Sequence, residues 1–322
     1  MSVKVSINIL LYNGQKYLPE VLAAVKNQTY QDLEVLIIDN ASSDDGAAWV
    51  VKNYPQFRLE RQEKNLGFCA GHNLGIKLST GEYVLCLNQD IILEPDFVAR
   101  LVEFMDAHPR VGAATGRLNR WDFERQQKTQ EIDSLGLRIF KNGRVEDWGQ
   151  WEGTIIPTAP VEIFGVSGAA PLYRRAALED IKFQDQYFDE DFFAYKEDVD
   201  LACRLRWRGW QAYLVPPAVG YHDRSVAQKA GLFKNRRQKS QFANYHSYRN
   251  HLFYLLKNLP KRQLFPVLVY ELGKLGYILF FEPQTLRATL DFITKYAKML
   301  TKREWIQKHR QTDLADWSRW FK

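Results

Sequence analysis

Cysteine is scarce in this chain: Cys69, Cys86 and Cys203 are the only three among 322 residues. So sparse and odd a set excludes a disulfide scaffold, and no spacing among them resembles a zinc site, so the chain fits a reducing cytosol. No G-x-G-x-x-G follows the first apolar run, which argues against a dinucleotide cofactor of the Rossmann type. No G-x-x-x-x-G-K-[ST] occurs either, which argues against P-loop chemistry. Residues 1–14 lack a basic stretch leading into a long apolar run and a small-residue cleavage site, so they read as a first strand rather than a signal peptide. Internal repeats and low-complexity tracts are missing too. What is present is ordinary for a globular protein. Hydrophobic residues at 46% and charged residues at 25% rule out disorder as the main state, and the length suits one large domain with an appendage, or two domains.

The net charge of +6 hides a division. Residues 1–226 carry 25 Lys and Arg against 32 Asp and Glu; residues 227–322 carry 19 against 6. A basic C-terminal part points to a polyanionic partner, a nucleic acid or an anionic membrane surface.

Along the first part, apolar runs alternate with amphipathic ones. Strands are expected over 3–11, 33–38, 57–61, 83–87 and 111–115, and helices over 15–27, 43–53, 69–78 and 95–107. This alternation predicts parallel crossovers and a sheet covered on both faces. Residues 118–160 are irregular and rich in Trp, Gly and charge. Strand-like text returns over 161–173, followed by short helices over 174–178 and 198–207 and a last strand over 211–215, before Pro216-Pro217. Beyond residue 226 only helical patterns remain. The α/β part therefore spans 1–226 and a basic, amphipathic helical part spans 227–322.

Ligands of such sheets bind beyond the carboxyl ends of the strands. The polar residues closing the strands are therefore the candidates: Tyr12-Asn13, Asp39-Asn40 and Asn88-Gln89-Asp90. Asp39 could accept hydrogen bonds from a base or a ribose, although Ser42 and Ser43 after it would equally suit a helix N-cap. The run Asn65-Leu66-Gly67-Phe68-Cys69-Ala70-Gly71-His72-Asn73 has small residues that let a backbone approach a ligand, and a helix start suited to phosphate. Asp90 could bind a hard divalent cation bridging a diphosphate. Between Phe188 and Leu201, six carboxylates in twelve residues alternate with aromatics, an environment that raises carboxyl pKa values and suits a general base. An acidic first turn of a helix is the plainer reading. Gly220-Tyr221-His222-Asp223-Arg224-Ser225 supplies a histidine after the last strand, relevant to a metal if the fold brings it near Asp90.

Taken together, these motifs resemble glycosyltransferase family 2, with the GT-A fold, over about residues 3–225. The resemblance rests on the opening Ile9–Asn13, the Ile38–Asp44 run, Asn65–Phe68, Leu87-Asn88-Gln89-Asp90, the Gly165–Arg174 stretch, Glu197-Asp198-x-Asp200-Leu201 with Arg204, and His222. It implies a nucleotide-sugar-binding sheet flanked by helices and an inverting, metal-assisted sugar transfer. Asp39 would read a pyrimidine base; Tyr12, Asn13, Asn65, Gly67, Asn73, Asn88 and Gln89 would lie around the donor. Asp90, the last acid of the family's D-x-D, would bind Mg²⁺ or Mn²⁺ together with His222. Asp198 would deprotonate the acceptor hydroxyl, with Gly168, Ala169 and Glu197 lining the acceptor side. The first acid of D-x-D is replaced by Asn88, a substitution shared by bacterial relatives that resemble rhamnosyltransferases. That favours a deoxythymidine-diphosphate rhamnose donor over a UDP-hexose.

The same resemblance implies a saccharide acceptor, carried on a lipid diphosphate, in cell-surface polysaccharide synthesis at the cytoplasmic face of the plasma membrane. A catalytically degenerate scaffold is the competing class. In the basic part, residues 285–308 suit a helix lying on anionic lipid. The twenty mostly apolar residues 263–282 contain Glu271 and Lys274, which make spanning expensive. Packing of these helices on the catalytic part, or a homodimer interface, would use the same faces. No nucleic-acid-binding motif is present, so no nucleic-acid partner is expected.

Overall fold

The computed structural model describes residues 3–122, 124–150, 155–223 and 240–322. Its centre is built from the apolar runs. β1 (Val5–Leu11) lies between β2 (Leu33–Asp39) and β4 (Tyr83–Asn88), all parallel, with the short β3 (Arg58–Arg61) on the outer edge of β2. The near-continuous Val/Ile/Leu text of these strands follows from burial on both faces. On one face pack α1 (Leu18–Lys26), α2 (Gly46–Asn53) and α4 (Phe97–Ala107), whose Leu18, Val50 and Phe97 share a cluster with Ile7, Ile9 and Leu85. On the other, α3 (Gly67–Leu78) contributes Cys69 and Ile76 to a cluster containing Val84 and Cys86.

Two strands are much longer than their apolar runs. β6 (Val111–Asp122) and β12 (Gln211–His222) pair in parallel over most of their length. β12 passes through Pro216-Pro217, where the pairing shifts between Val215 and Val219. Proline has no N–H for the ladder, so an irregularity there is required. Beyond it, β12 pairs with β5 (Ile91–Leu93), opposing His222 to Ile91. The irregular-looking region also contains strands: β7 (Gln127–Ser134) on β6, and a small ribbon of β8 (Leu137–Ile139) and β9 (Val145–Asp147). β10 (Val161–Ile163) pairs antiparallel with β12, and β11 (Leu172–Arg174) runs antiparallel between β4 and β6. The sheet is therefore mixed rather than purely parallel. Two further helices join the α3 face: α5 (Arg175–Asp180), which packs on β6 and β11, and α6 (Glu197–Trp207), which packs on β12.

The C-terminal part is helical: α7 (Gln241–Asn258), α8 (Lys261–Phe281), α9 (Leu286–His309) and α10 (Leu314–Ser318). Ser240 caps α7 by accepting from the Ala243 N–H. These helices share one core with the sheet, since Phe253, Tyr254, Met299, Ile306 and Trp317 belong to the cluster that holds Val199, Leu205 and Trp207. Trp317 stacks flat on Trp207 with ring centres 4.0 Å apart, and the Trp207 indole donates to the Asn258 carbonyl at 3.0 Å. The expected boundary between 226 and 227, with Arg224, Ser225 and the start of the basic segment, lies outside the described residues.

Candidate active site

The carboxyl ends of β1, β2 and β4 meet at one edge. Asp39 closes β2 with its side chain buried, accepting from the Ser42 N–H at 3.1 Å and from exposed Arg61 Nε at 3.3 Å. The alternative role for this run, a serine N-cap, is not what forms: α2 begins at Gly46, and both serines turn to Asn13 instead. Ser42 Oγ accepts from the Asn13 N–H, and the Ser43 N–H donates to Asn13 Oδ1 at 2.8 Å. Asn13 sits at φ +48°, a left-handed conformation that Asn tolerates better than most residues. Next to it, Tyr12 is 44% exposed at the rim.

Three of the expected donor residues work as scaffolding. The Gln89 amide bonds the backbone of Tyr12 twice, at 2.8 and 3.1 Å, and a β-carbon on Gly14 would collide with it. Asn65 Oδ1 accepts from Asn40 Nδ2 and from the Gly67 N–H, holding the turn into α3. Asn73 requires a correction. Its side chain is buried and fully committed, exchanging bonds with the Phe188 backbone at 2.8 Å in each direction and donating to Glu190 Oε1. It ties α3 to the acidic segment and has nothing left for a nucleotide. Gly67 has φ +79°, and a β-carbon there would strike the Phe193 ring at 2.5 Å. The Cys69 N–H is also taken by the Phe193 carbonyl. The start of α3 thus seats Phe193 rather than offering free donors to phosphate.

Asp90 and His222 do come together. His222 Nε2 lies 3.5 Å from Asp90 Oδ2, and its Nδ1 is 2.8 Å from Asp133 Oδ2 on β7. Asp133 is fully buried. It lies in the region that looked irregular, and no local pattern marks it. An Asp–His–Asp chain of this kind fixes which imidazole nitrogen faces outward, as around metal-bound histidines. Burial lowers the His222 pKa, but the hydrogen bonds and charges of Asp133 and Asp90 outweigh it and lift the value to about 9. One carboxylate and one imidazole suit Mg²⁺ or Mn²⁺. Among the described residues no group of three or more His, Cys, Asp or Glu side chains converges on one point. The two-point site therefore fits a metal whose other ligands come from a diphosphate and water.

The residues expected on the acceptor side form the adjoining wall. Asn88, half-buried, donates its N–H to the Ala169 carbonyl at 2.9 Å, and the Gly168 N–H donates to Asp198 Oδ2 at 3.2 Å. A β-carbon on Gly168 would touch Glu197, Asp198 and Phe68. Burial, then the charge of Asp198, pushes Glu197 up to about 8, and its Oε2 has no partner. Asp198 is half-buried and also raised, chiefly by burial, but it accepts from the Gly168 and Val199 N–H groups and feels Lys196. At neutral pH Glu197 therefore holds its proton, while the two N–H groups on Asp198 favour the charged form of that carboxyl against its burial.

Three other acids of the cluster behave oppositely. Asp189, Asp191 and Asp200 are all lowered, because cations from the C-terminal helices outweigh burial. Lys257 reaches Asp189 at 2.5 Å and Asp200 at 2.8 Å; Lys302 reaches Asp189 and Asp191 at 2.5 Å; Lys295 and Lys298 pair with Asp191. The expectation of raised values thus holds at Glu197 and Asp198 and fails at Asp189, Asp191 and Asp200. Part of the charge division between the two parts of the chain is settled internally.

The segment entering α6 is strained. Phe193, Tyr195 and Lys196 all have positive φ, at 63°, 70° and 65°. Asn250, buried on α7, donates its amide to the carbonyls of Phe192, Ala194 and Tyr195 at 2.7–2.8 Å, and Arg249 Nη2 donates to those of Asp191 and Phe192. Nothing in the sequence distinguishes Asn250 from other polar residues in a basic, aromatic helix.

Residues 6–182 match the family described as "Glycosyl transferase family 2". Among curated proteins, the chain is 25% identical to the poly-beta-1,6-N-acetyl-D-glucosamine synthase of Staphylococcus epidermidis over 243 residues, 72% of this chain and 52% of that protein. The Staphylococcus aureus protein of the same description is 26% identical over 213 residues, 65% of this chain and 47% of that protein. The chain thus spans about half the length of these relatives. Among solved structures, S. aureus TarS 1-349 in complex with UDP-GlcNAc superposes with TM-score 0.57 at 20% identity, covering 90% of this chain and 80% of that one. The mannosyltransferase PcManGT from Pyrobaculum calidifontis, in complex with GDP-Man and Mn²⁺, gives 0.55 at 20% identity, covering 99% and 79%. These likenesses establish the GT-A fold.

Proposed function

The chain belongs to glycosyltransferase family 2, and on that premise we propose that it transfers N-acetylglucosamine from UDP-N-acetylglucosamine to a saccharide acceptor, inverting the anomeric centre, in the synthesis of a cell-surface polysaccharide. The curated relatives, described as N-acetylglucosamine polymer synthases, support this sugar over the rhamnose favoured on motif grounds. Buried Asp39 at the end of β2 suits the N3–H of uracil, a group that thymine also presents, so the base reader alone does not choose between the two donors.

One observation carries the reaction: Asp198 and Asn88 are joined through Gly168 and Ala169, so the base side and the donor side share one wall. An acceptor hydroxyl at Asp198 gives up its proton to that carboxylate. Its oxygen attacks the anomeric carbon, and the glycosidic bond to the diphosphate breaks in line. Glu197, holding its own proton, is placed to donate to an acceptor oxygen and to spare Asp198 a second charge in contact. Asp90 and His222 would hold Mg²⁺ or Mn²⁺, which when bound supplies neutralisation of the diphosphate's growing charge. The acceptor we propose is a saccharide carried on a lipid at the cytoplasmic face of the plasma membrane.

A thermal-shift panel of nucleotide sugars, with and without Mn²⁺, tests the donor. UDP-N-acetylglucosamine should raise the melting temperature, more so with Mn²⁺. Stabilisation by dTDP-rhamnose and none by the UDP sugar would overturn the assignment.

A further inference from the structure

Helix α8 stands apart from the other C-terminal helices. It is 21 residues long, with a mean hydropathy of 1.5 over its most apolar window, yet only 17% of that window is buried. Its charged side chains within that span turn inward. Glu271 is buried against His251 at 2.8 Å, and Lys274 lies over the Tyr248 ring while reaching Glu271. Val267, Glu271, Lys274 and Ile278 thus form the face seated on the protein, at spacings of four, three and four. Beyond Lys261 and Arg262 at its start, the opposite face carries no charge and exposes Phe265, Leu268, Leu272 and Phe280. Leu290 and Ile293, one turn apart on α9, are exposed as well.

We propose that the outer face of α8, with Leu290 and Ile293 of α9, inserts into the interfacial layer of a lipid bilayer, so that the chain docks with this helix lying in the membrane plane.

Two features decide against a spanning helix. Both ends of α8 return to the same body: Leu259 just before it and Thr285 just after it are buried in the protein. A spanning helix of this length would separate them by about 30 Å across the bilayer. Spanning would also pull Glu271 from His251. A bilayer also suits this face better than a second copy does. Exposed Lys261 and Arg262 open the helix and exposed Arg287 follows it. An antiparallel two-fold pair would bring these like charges together, whereas a headgroup layer accepts cations at both ends. The attraction differs from that expected of a basic tail, because Lys257, Lys295, Lys298 and Lys302 are engaged with Asp189, Asp191 and Asp200. Apolar insertion is the main driving force, with anionic lipid a secondary one.

Docking here also deepens the transferase reading, on which this step alone rests. Tyr248 of α7 packs with Ile278 and Ala288, and two residues further on Asn250 holds the Tyr195 carbonyl beside Glu197. The bilayer-facing helices and the acceptor wall therefore meet the same short stretch of α7, as an acceptor saccharide on a lipid carrier would require.

Co-sedimentation of the full chain with neutral phosphatidylcholine vesicles, and with vesicles containing anionic phosphatidylglycerol, tests the proposal. Binding to both is expected, with anionic lipid strengthening it by less than about tenfold. Leu268→Ser, Leu272→Ser and Phe280→Ser combined, all at exposed positions, should weaken binding to either by at least about tenfold. The combined variant should keep its transfer rate to a soluble acceptor. No binding to either vesicle, binding to anionic vesicles alone, or unchanged binding by the variant would overturn the proposal. So would a wild-type dimer that the variant converts to monomer with no change in vesicle binding. Vesicle binding without transfer from UDP-N-acetylglucosamine would instead fault the donor reading and leave the docking surface standing.

Discussion

Replacing Asn250 with alanine should damage catalysis while sparing donor binding. The Asn250 amide shares its two hydrogens among the carbonyls of Phe192, Ala194 and Tyr195, and it is completely buried. Those carbonyls belong to a segment with three non-glycine residues in left-handed conformations, each costing about 1–3 kcal/mol to hold. Each lost hydrogen bond would remove about 0.5–1.5 kcal/mol, so about 2 kcal/mol that holds the segment would go. The relaxed segment would let Asp198 drift from the Gly168 N–H. Expressed as misplacement of the base, that amounts to a fall in kcat of about thirtyfold, with the KM for donor changed less than about threefold, because the segment meets the donor side only where Phe193 packs on the start of α3 at Gly67 and Cys69. Steady-state kinetics on the purified variant, with urea unfolding as a check that it is folded, gives the answer. A folded variant with wild-type kcat would refute the reasoning, and so would one that loses donor affinity and kcat together.

Other perturbations follow the same logic. Lys302→Met would leave Asp189 with Lys257 as its buried cation and Asp191 with only the half-buried Lys295 and the exposed Lys298, so the urea midpoint should fall by the equivalent of about 3 kcal/mol, the low end for breaking a buried pair; a shift below about 1 kcal/mol would show the pair to be dispensable. Asp133→Asn should free the His222 ring and weaken Mn²⁺-dependent donor affinity by about 10–100-fold in calorimetry, without changing metal-free binding. Glu197 has a folded pKa of about 8, above its ordinary 4.5. Its contribution to stability is therefore complete below pH 4.5 and is lost as pH rises through about 8. Glu197→Gln should flatten that part of the stability–pH curve, and an unchanged slope between pH 5 and 8 would contradict the buried proton.

Much of the site could be read from the sequence, because its residues close apolar runs whose order fixes the sheet edge. Asp39, Asp90 and Asp198 fall where strand ends and a helix start place them, and His222 reaches Asp90 through the extended β12. Other features depended on contacts that no local pattern records. Asp133 sits on a strand whose text, QKTQEIDS, has no apolar alternation. Asn73 lies on a helix whose inward face was not decidable beforehand, and it points into the core. β6 and β12 continue past their apolar stretches because they pair with each other, a tertiary effect that overrides polar residues and even prolines. The basic C-terminal part looked like a surface for an external anion. Several of its lysines instead neutralise acids about 50–110 positions earlier, which charge counting could suggest but not assign.

The central claim is that Asp198 is the base of a sugar transfer and takes no part in holding the donor. Asp198→Asn keeps the size of the side chain and can keep its contact with the Gly168 backbone, but removes the proton acceptor. Calorimetric titration of that variant with UDP-N-acetylglucosamine and Mn²⁺, beside an assay of transfer, tests the claim directly. Donor affinity within about twofold of wild type, with transfer reduced by about 10²–10⁴-fold, is the predicted result. Transfer that persists, or donor binding that disappears along with it, would contradict the account.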